Sequence, residues 1–390
     1  MKCPDFFNNN QKGLLMIRVA EVITDTNIGG AGRLLVNRIK NSDIGRFHYV
    51  VVLPKGSALL SLLKENNIEF FEVNCGYDRS FDFKSVLLFY NAFKKIRPHI
   101  VNAHGALSAR IASTLARIPI KLYTRHCDFP TGKIFNNVIV KGCMQFLSNL
   151  LSDGIIAVSF SARDNLVRLG IKHDKIKVII NGVDMLKEIS DDDKKTIKAA
   201  LNIPHDANVI SIFARLEKYK DHNTFLHAAK ELVQSKKCYF LIVGGGTEED
   251  NLKSLARELG IDEYIRFIGF AKDVYLYMNV TDINVNCSIG TETSSLALSE
   301  GMSLGIPSIV SDYPGNVYMV HEGENGLIYP RQDYKMLARK IDILLKDKAL
   351  YSHISENAKI RFENEFNAKK MAFLTEKYYE KFLKEKGYYV

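Results

Sequence analysis

IGTETSSLALSEGMSLGIPSIVSD, residues 289–312, is the stretch whose reading decides the fold. It follows residues 282–286, which alternate like a strand, and the pair Cys287-Ser288. Residues 294–298 read as helix, and Gly305, Ile306 and Pro307 turn the chain into a second short strand, residues 308–311. A strand, a polar loop at its C-terminal end, a helix and a strand make the crevice that holds small anionic ligands in α/β proteins. Thr293, Ser294 and Ser295, with Leu296 after them, stand where the helix is expected to start, so their N–H groups and the positive end of the helix dipole form a seat for a phosphate. Glu292 precedes that seat, and Glu300 lies about two turns along the helix. Carboxylates beside a phosphate repel it and are better suited to accept hydrogen bonds from hydroxyls. Two such carboxylates around a phosphate seat describe a nucleotide-sugar. By spacing alone, a dipole-favoured glutamate and a second, solvated one account for the pattern equally well.

Glu292-x7-Glu300, followed by Gly301-Met302-Ser303-Leu304-Gly305-Ile306-Pro307 and an apolar strand, resembles the donor-binding motif of the retaining glycosyltransferases of family 4, the glycosyl transferases group 1. The resemblance implies an α/β chain of the GT-B type, two Rossmann-like β/α/β domains facing a central cleft.

Length and composition are compatible with this. At 390 residues the chain exceeds one ordinary core. Six scattered cysteines without a C-x-x-C pair argue against a disulfide scaffold or zinc site and fit a reducing cytosol. No segment reads as a cleavable signal or a membrane-spanning helix, so a cytoplasmic protein is expected. Residues 1–185 carry 25 Lys and Arg against 14 Asp and Glu, and the remainder carries 28 against 30. A basic first half suits peripheral contact with an anionic membrane; a plain solubility surplus explains it almost as well. No nucleic-acid motif is present, and no nucleic-acid partner is expected.

The strand at residues 17–24 runs into Gly29-Gly30-Ala31-Gly32, ahead of a helix at residues 33–39. A dinucleotide fingerprint fails there, because Leu35 occupies the position that needs Gly or Ala. The resemblance places Gly29 and Gly30 at the cleft, near donor phosphate and acceptor. Strands and helices then alternate in the rhythm of a parallel sheet. Two strands end in His104 and in Arg125-His126-Cys127-Asp128, where such sheets bind ligands. A single histidine is more often a hydrogen-bonded core or rim residue. The resemblance puts His126 beside the donor sugar, with His104, Arg125 and Asp128 as acceptor-side candidates. Residues 133–151 are apolar with two lysines and no acid. A buried helix is the first reading and an interfacial membrane helix the second. Asn181-Gly182-Val183-Asp184 closes the first domain in the resembling family. The domains are therefore expected at 1–185 and 207–367, joined by 186–206, with a final helix at 368–390 crossing back to the first. Asp191-x-Asp193 precedes a helix and reads as N-capping rather than as a metal site.

After the strand at residues 209–213 come Arg215 and Lys220, two cations at one strand end. Arginine forks onto a diphosphate and lysine neutralises it as a point charge. The run resembles the family's Gly-Arg-Leu-x-x-x-Lys-Gly, with Ala214 and Asp221 replacing the glycines. Gly244-Gly245-Gly246 is a further turn that lets a ligand approach the backbone, and the resemblance implies that backbone groups near Ile268, Gly269 and Phe270 hold the base.

Taken together, the resemblance implies transfer of a hexosyl or N-acetylhexosaminyl group from a UDP- or GDP-linked sugar to a glycan or lipid-linked acceptor, in surface polysaccharide or glycolipid synthesis. Arg215 and Lys220 would stabilise the leaving diphosphate, Glu300 would hold ribose, and Glu292 the sugar hydroxyls, without a metal or other cofactor. A nucleotide-sugar epimerase of the same architecture, or a binding protein without transfer activity, are the alternatives.

Overall fold

The computed structural model describes residues 16–26, 28–75, 80–126, 137–233 and 238–388. Two parallel sheets organise it. The first holds β1 (Ile17–Ile23), β2 (Phe47–Pro54), β3 (Glu69–Val73), β4 (Ile100–His104), β5 (Ile120–Arg125), β6 (Gly154–Ala157) and β7 (Ile176–Val178), in the order β3-β2-β1-β4-β5-β6-β7. The second holds β8 (Asn208–Phe213), β9 (Cys238–Val243), β10 (Ile265–Gly269), β11 (Ile283–Asn286), β12 (Ser308–Ser311) and β13 (Gly326–Tyr329), in the order β10-β9-β8-β11-β12-β13. In each sheet the order reverses beside the first strand, between β1 and β4 and between β8 and β11. Crossovers leave these strands in opposite directions, so a crevice opens at their C-terminal ends.

The strands read as apolar runs because helices cover both faces. On β1, Ile17, Val19 and Ile23 pack with Leu35, Tyr379 and Phe382, while Ala20 and Val22 pack with Phe89 and Phe93 on the other face. The second sheet has its own core, built on Ile210, Ile212, Phe225 and Phe240. The last helix, Ala368–Glu385, places Met371, Tyr378, Tyr379, Phe382 and Leu383 in the core of the first sheet. The chain passes between the sheets twice, and the two passages are hydrogen-bonded together: Val183 N donates to Phe366 O and Ala368 N to Val183 O, both at 2.9 Å.

Three local expectations are revised. The helix read from residue 33 starts earlier and spans Gly30–Lys40, with Gly29 as its extended N-cap. Gly30 and Gly32 therefore lie in the first helical turn rather than in a loop. A Cβ on Gly32 would stand 3.0 Å from Leu59, so close helix packing accounts for that glycine. The Asp191-x-Asp193 pair does not cap its helix. Ser190 does, accepting from Asp193 N at 3.1 Å, and the aspartates occupy the first turn of Asp191–Ala200, where the dipole favours them. The helix Val138–Leu151 is not buried. Val138, Ile139, Phe146, Leu147 and Leu150 are exposed, and only Ser148 and Leu151 are buried within it. Its first-choice reading failed because an apolar composition does not by itself say that a helix is covered. Among the described residues no helix is long and apolar enough to cross a membrane.

Gly182 sits at the crossing, where an added Cβ would be 2.2 Å from the Asn367 carbonyl oxygen. That neighbour is backbone and cannot rotate away. Gly182→Ala is therefore expected to cost about 1–3 kcal/mol by overpacking, read as a lower midpoint in thermal denaturation. Gly142→Ala, in open space on an exposed helix, should leave the midpoint unchanged or raise it.

Candidate active site

The switch point of the second sheet assembles the polar centre. β8 and β11 are neighbours, with Ile212 opposite Val285, so the loops that follow them meet. They are tied by Ile289 N donating to Tyr219 O at 2.9 Å. The loop after β8 carries Arg215 and, on a short 3-10 turn (Lys218–Lys220), Lys220. The loop after β11 carries Glu292. Lys220 Nζ donates to Glu292 Oε2 at 2.5 Å, and the same oxygen accepts from Ser288 Oγ at 3.0 Å and Asn286 Nδ2 at 3.3 Å. Glu292 Oε1 has no partner among the described residues. Lys220 and Glu292, assigned separately to phosphate and sugar from the sequence, thus form one partly buried ion pair.

That pair is held by a network the sequence did not announce. Asn286 Oδ1 accepts from Ser288 N at 3.0 Å and from Asn316 Nδ2 at 3.3 Å. Asn316 Nδ2 also donates to Ser311 Oγ at 2.9 Å, and Ser311 Oγ donates to Ser288 O at 2.6 Å. A Cβ on Gly315 would lie 2.0 Å from the Glu292 carbonyl oxygen, so the next helix presses directly on this loop. Every one of these residues is buried. A buried network of this kind fixes geometry, with Asn316 Oδ1 alone in it left without a partner among the described residues.

Arg215 is exposed. Its Nη2 donates to Tyr219 OH at 2.5 Å, and its guanidinium lies over the Tyr219 ring. Among the described residues no carboxylate pairs with it, so its charge is available to an anion. Two of the glycines of 244–246 pack tightly against backbone. A Cβ on Gly244 (φ +146) would stand 2.0 Å from Ala214 O, and one on Gly246 would stand 2.4 Å from Leu216 O. The close approach they allow is to the backbone that carries Arg215. Gly244 N also donates to Gly269 O at 2.9 Å, drawing the loops after β8, β9 and β10 together.

The helix after Glu292 spans Leu296–Ser303 and is capped by Ser295, whose Oγ accepts from Leu298 N at 3.4 Å. It starts two residues later than expected, because the hydroxyl of Ser295 closes the turn. Thr293, Ser294 and Ser295 therefore do not offer three free N–H groups; Ser295 N already meets Met319 Sδ at 3.2 Å. Among the described residues, the first-turn amides of Leu296 and Ala297 have no partner. Leu296 faces the other domain: its Cδ1 lies 3.8 Å from where a Gly30 Cβ would stand. Thr293 Oγ1 donates across the cleft to His126 O at 3.2 Å. Ser294 Oγ is buried without a partner among the described residues.

Glu300 is partly buried near Arg33 of the first domain, and its carboxylate has no hydrogen bond among the described residues. Burial pushes its pKa up to about 7, and the Arg33 charge opposes the rise. The Arg33 guanidinium lies over the exposed ring of Phe270, which follows Gly269 (φ +73). Arg33 had no signal beyond being a cation on the helix that follows the glycines.

On the first-domain side, His126 Nε2 lies 2.7 Å from His104 Nδ1, and His104 Nε2 lies 2.9 Å from Glu21 Oε2. Glu21 was missed, although an acid in the middle of an apolar strand is a readable anomaly. Arg125 is bound to Asn165 Oδ1 at 3.0 Å and Tyr123 OH at 3.3 Å, which ties it to its own domain. Asp128 lies outside the described residues.

With this geometry in place, comparison with known proteins is informative. The family model described as Glycosyltransferase Family 4 matches residues 28–185, and that described as Glycosyl transferases group 1 matches residues 193–361. A capsular polysaccharide biosynthesis glycosyltransferase, CapM of Staphylococcus aureus, is 28% identical over 323 residues, 78% of this chain and 82% of that protein. The UDP-Gal:alpha-D-GlcNAc-diphosphoundecaprenol alpha-1,3-galactosyltransferase of Escherichia coli is 26% identical over 296 residues, 73% of this chain and 76% of that protein. Among solved structures, Anabaena Alr3699/HepE in complex with UDP and glucose superposes with a TM-score of 0.80 over 93% of this chain and 99% of that one. Its 21% identity speaks for the fold only.

Glu300 yields a stability test that needs no ligand. Its folded-state pKa is raised from 4.5 to about 7, so stability is lost progressively as pH rises from about 4.5 to 7 and the full penalty persists above that. Glu300→Gln removes the penalty. It should be more stable than the parent by about 1–2 kcal/mol at pH 8, after discounting for partial exposure, with the gain shrinking to nothing below about pH 4.5. Denaturant titrations at both ends of that range measure it.

Proposed function

The chain belongs to the glycosyltransferases, as a family 4 domain followed by a group 1 domain on the GT-B fold, and on that premise we propose a specific reaction. A hexosyl or N-acetylhexosaminyl group moves from a UDP- or GDP-linked sugar to a glycan or lipid-linked acceptor, with retention at the anomeric carbon, in the synthesis of a surface polysaccharide or glycolipid. The observation that carries this reading is the meeting of Arg215, Lys220 and Glu292 at the β8/β11 switch point, one turn from the open amides of Leu296 and Ala297.

The roles follow from charge and position. Arg215, free of carboxylates, forks onto the diphosphate, and the Leu296 and Ala297 amides add fixed partial charge. As the bond from the anomeric carbon to the phosphate oxygen breaks, negative charge grows on the leaving diphosphate. Arg215 and Lys220 stabilise it electrostatically. Glu292 accepts from sugar hydroxyls through Oε1 while Lys220, Ser288 and Asn286 hold Oε2. Glu300 accepts from the ribose hydroxyls, beside the Phe270 and Arg33 end of the cleft. The acceptor hydroxyl attacks from the face the phosphate leaves, and a departing phosphate oxygen takes its proton. The first domain presents the acceptor, and closure of the two domains keeps water out. The relatives support the substrate class: one is named for transfer from UDP-Gal to a diphosphoundecaprenol-linked sugar.

A lipid-linked acceptor calls for contact with a membrane surface. The exposed apolar side chains of the helix Val138–Leu151, on the basic first half of the chain, supply it. The Phe146→Ser, Leu150→Ser double variant should sediment with phosphatidylglycerol vesicles several-fold less than the parent, and neither should follow phosphatidylcholine vesicles. Equal sedimentation of the two proteins removes the helix from the membrane reading.

Calorimetry with UDP, GDP and their common sugars tests the donor site. One nucleotide should bind selectively. Its affinity should fall about 10-fold or more in Arg215→Ala and in Glu300→Ala, since each loses a charge-assisted hydrogen bond. No nucleotide binding, or binding indifferent to both substitutions, defeats the assignment.

A further inference from the structure

The excess charge of the chain is confined to one segment. Residues 83–152 hold 10 of the 53 Lys and Arg but only one of the 44 Asp and Glu, Asp128. The rest of the chain carries 43 of each, so the whole net charge of +9 arises in that segment. Three helices of the first domain lie within it, Phe83–Ile96, Leu107–Leu115 and Val138–Leu151, and none of them contains an acid. The first two cover the face of the sheet that carries Ala20 and Val22, and the third packs beside the second. The last helix of the chain covers the opposite face. On the first of the three, Phe83, Lys84, Leu87, Asn91, Lys94 and Lys95 are exposed, opposite the buried Ser85, Phe89, Ala92 and Phe93. Phe83 is 84% exposed and Leu87 63%. Among the described residues no carboxylate pairs with Lys84, Lys94, Lys95, Arg117 or Lys141.

We propose that these three helices form one docking face for an anionic bilayer, in which Phe83 and Leu87 are a second apolar anchor beside the helix Val138–Leu151. This deepens the reading of a lipid-linked acceptor, and rests on it for what the docking serves.

Charge placed for solubility alone needs no exposed phenylalanine, and it is mixed with acids rather than kept apart from them. A protein partner suits the surface less well, because lysine is depleted where proteins meet and here it shares one stripe with Phe83 and Leu87. A bilayer accepts both kinds of side chain. Phe and Leu enter the acyl boundary, while lysines lay their stems along it and hold their ammonium groups at the headgroup phosphates. An acid on such a face would be repelled. The helix starts also place the face against the cleft. Asp82 N donates to Ser108 Oγ at 2.8 Å and Ser80 Oγ to Gly105 O at 2.7 Å, and Gly105 follows His104 at the end of β4. The helix Val138–Leu151 ends at the other edge of the sheet, where Asp153 N donates to Lys121 O at 2.7 Å, so the exposed Val138 and Ile139 lie toward the cleft edge. Docking by this face brings the crevice of the first domain beside the headgroups, where the sugar of a lipid-linked acceptor stands.

The chain contains no tryptophan, so a single introduced one reports alone. Phe83→Trp and Phe146→Trp place it on two helices of the proposed face, and Phe373→Trp places it on the last helix, exposed on the opposite side of the sheet. With phosphatidylglycerol vesicles, emission from positions 83 and 146 should shift to the blue and be quenched by brominated acyl chains, while position 373 stays unchanged. Phosphatidylcholine vesicles should do neither. The Lys94→Glu, Lys95→Glu double variant should sediment with phosphatidylglycerol vesicles several-fold less than the parent, and the parent's own sedimentation should fall as salt screens the headgroups. A silent position 83 beside a responding position 146 confines the contact to the helix Val138–Leu151 and overturns the second anchor. No response at either position, or an equal response at position 373, overturns the docking face, the first of these in favour of a protein partner. Nucleotide calorimetry on the same variants should match the parent, since none of the substituted residues stands at the donor site. Failure of the docking therefore leaves the donor reading in place, and failure at Arg215 and Glu300 leaves the docking in place.

Discussion

Parallel strands can be joined only by crossing over a face of the sheet, and each crossover has one preferred hand. When the chain builds outward from its first strand in one direction and then in the other, the loops on either side of that strand diverge and leave a crevice. The second sheet does this between β8 and β11. Arg215 and Lys220 follow one of these strands and Glu292 follows the other, so residues 72 apart in sequence become an ion pair. The first sheet repeats the arrangement between β1 and β4, which brings Gly29, Gly30 and His104 to its own crevice. The two crevices contribute to one cleft through Leu296 against Gly30, Thr293 against His126 and Arg33 against Phe270.

Burying polar groups beside these crevices carries a cost that hydrogen bonding offsets in large part. Both domains meet it with a small network behind the cleft rather than with apolar packing. In the second, Asn286, Ser288, Ser311 and Asn316 brace the loop of Glu292. In the first, Glu21 collects donors from Arg38, Asn102, His104 and Tyr379. Tyr379 belongs to the last helix, so the C-terminal segment completes a polar site that begins in the first strand. The opposite choice is made at Glu300, whose carboxylate is left without a hydrogen bond near a cation and is strained toward protonation. A group held in that condition is stabilised by any ligand hydroxyl that reaches it, at a cost to the stability of the fold.

Much of the architecture was legible because it is written locally. Apolar runs punctuated by glycine mark buried parallel strands, and their rhythm gives the α/β class. Arg215, Lys220, Glu292 and Glu300 could be singled out because each lies within a few residues of a strand end or helix start. The errors have equally local causes. The helix after Glu292 was started early because Thr293, Ser294 and Ser295 are all competent caps, and only packing against Met319 selects Ser295. The helix Val138–Leu151 was placed in the interior because it is apolar at most positions, and composition does not say which face turns inward.

The sequence by itself determined the class of fold, the strand-end cations and carboxylates, and the resemblance that names the reaction type. These depend on periodicity and on short motifs, which are properties of neighbouring residues. The tertiary structure alone decided that Lys220 and Glu292 are paired, that Glu300 is poised near neutrality, and that Glu21 reaches His126 through His104. Each of these is a relation between segments far apart in the chain. A pKa is set by what stands within a few ångströms in space, and one sequence carries no direct record of that.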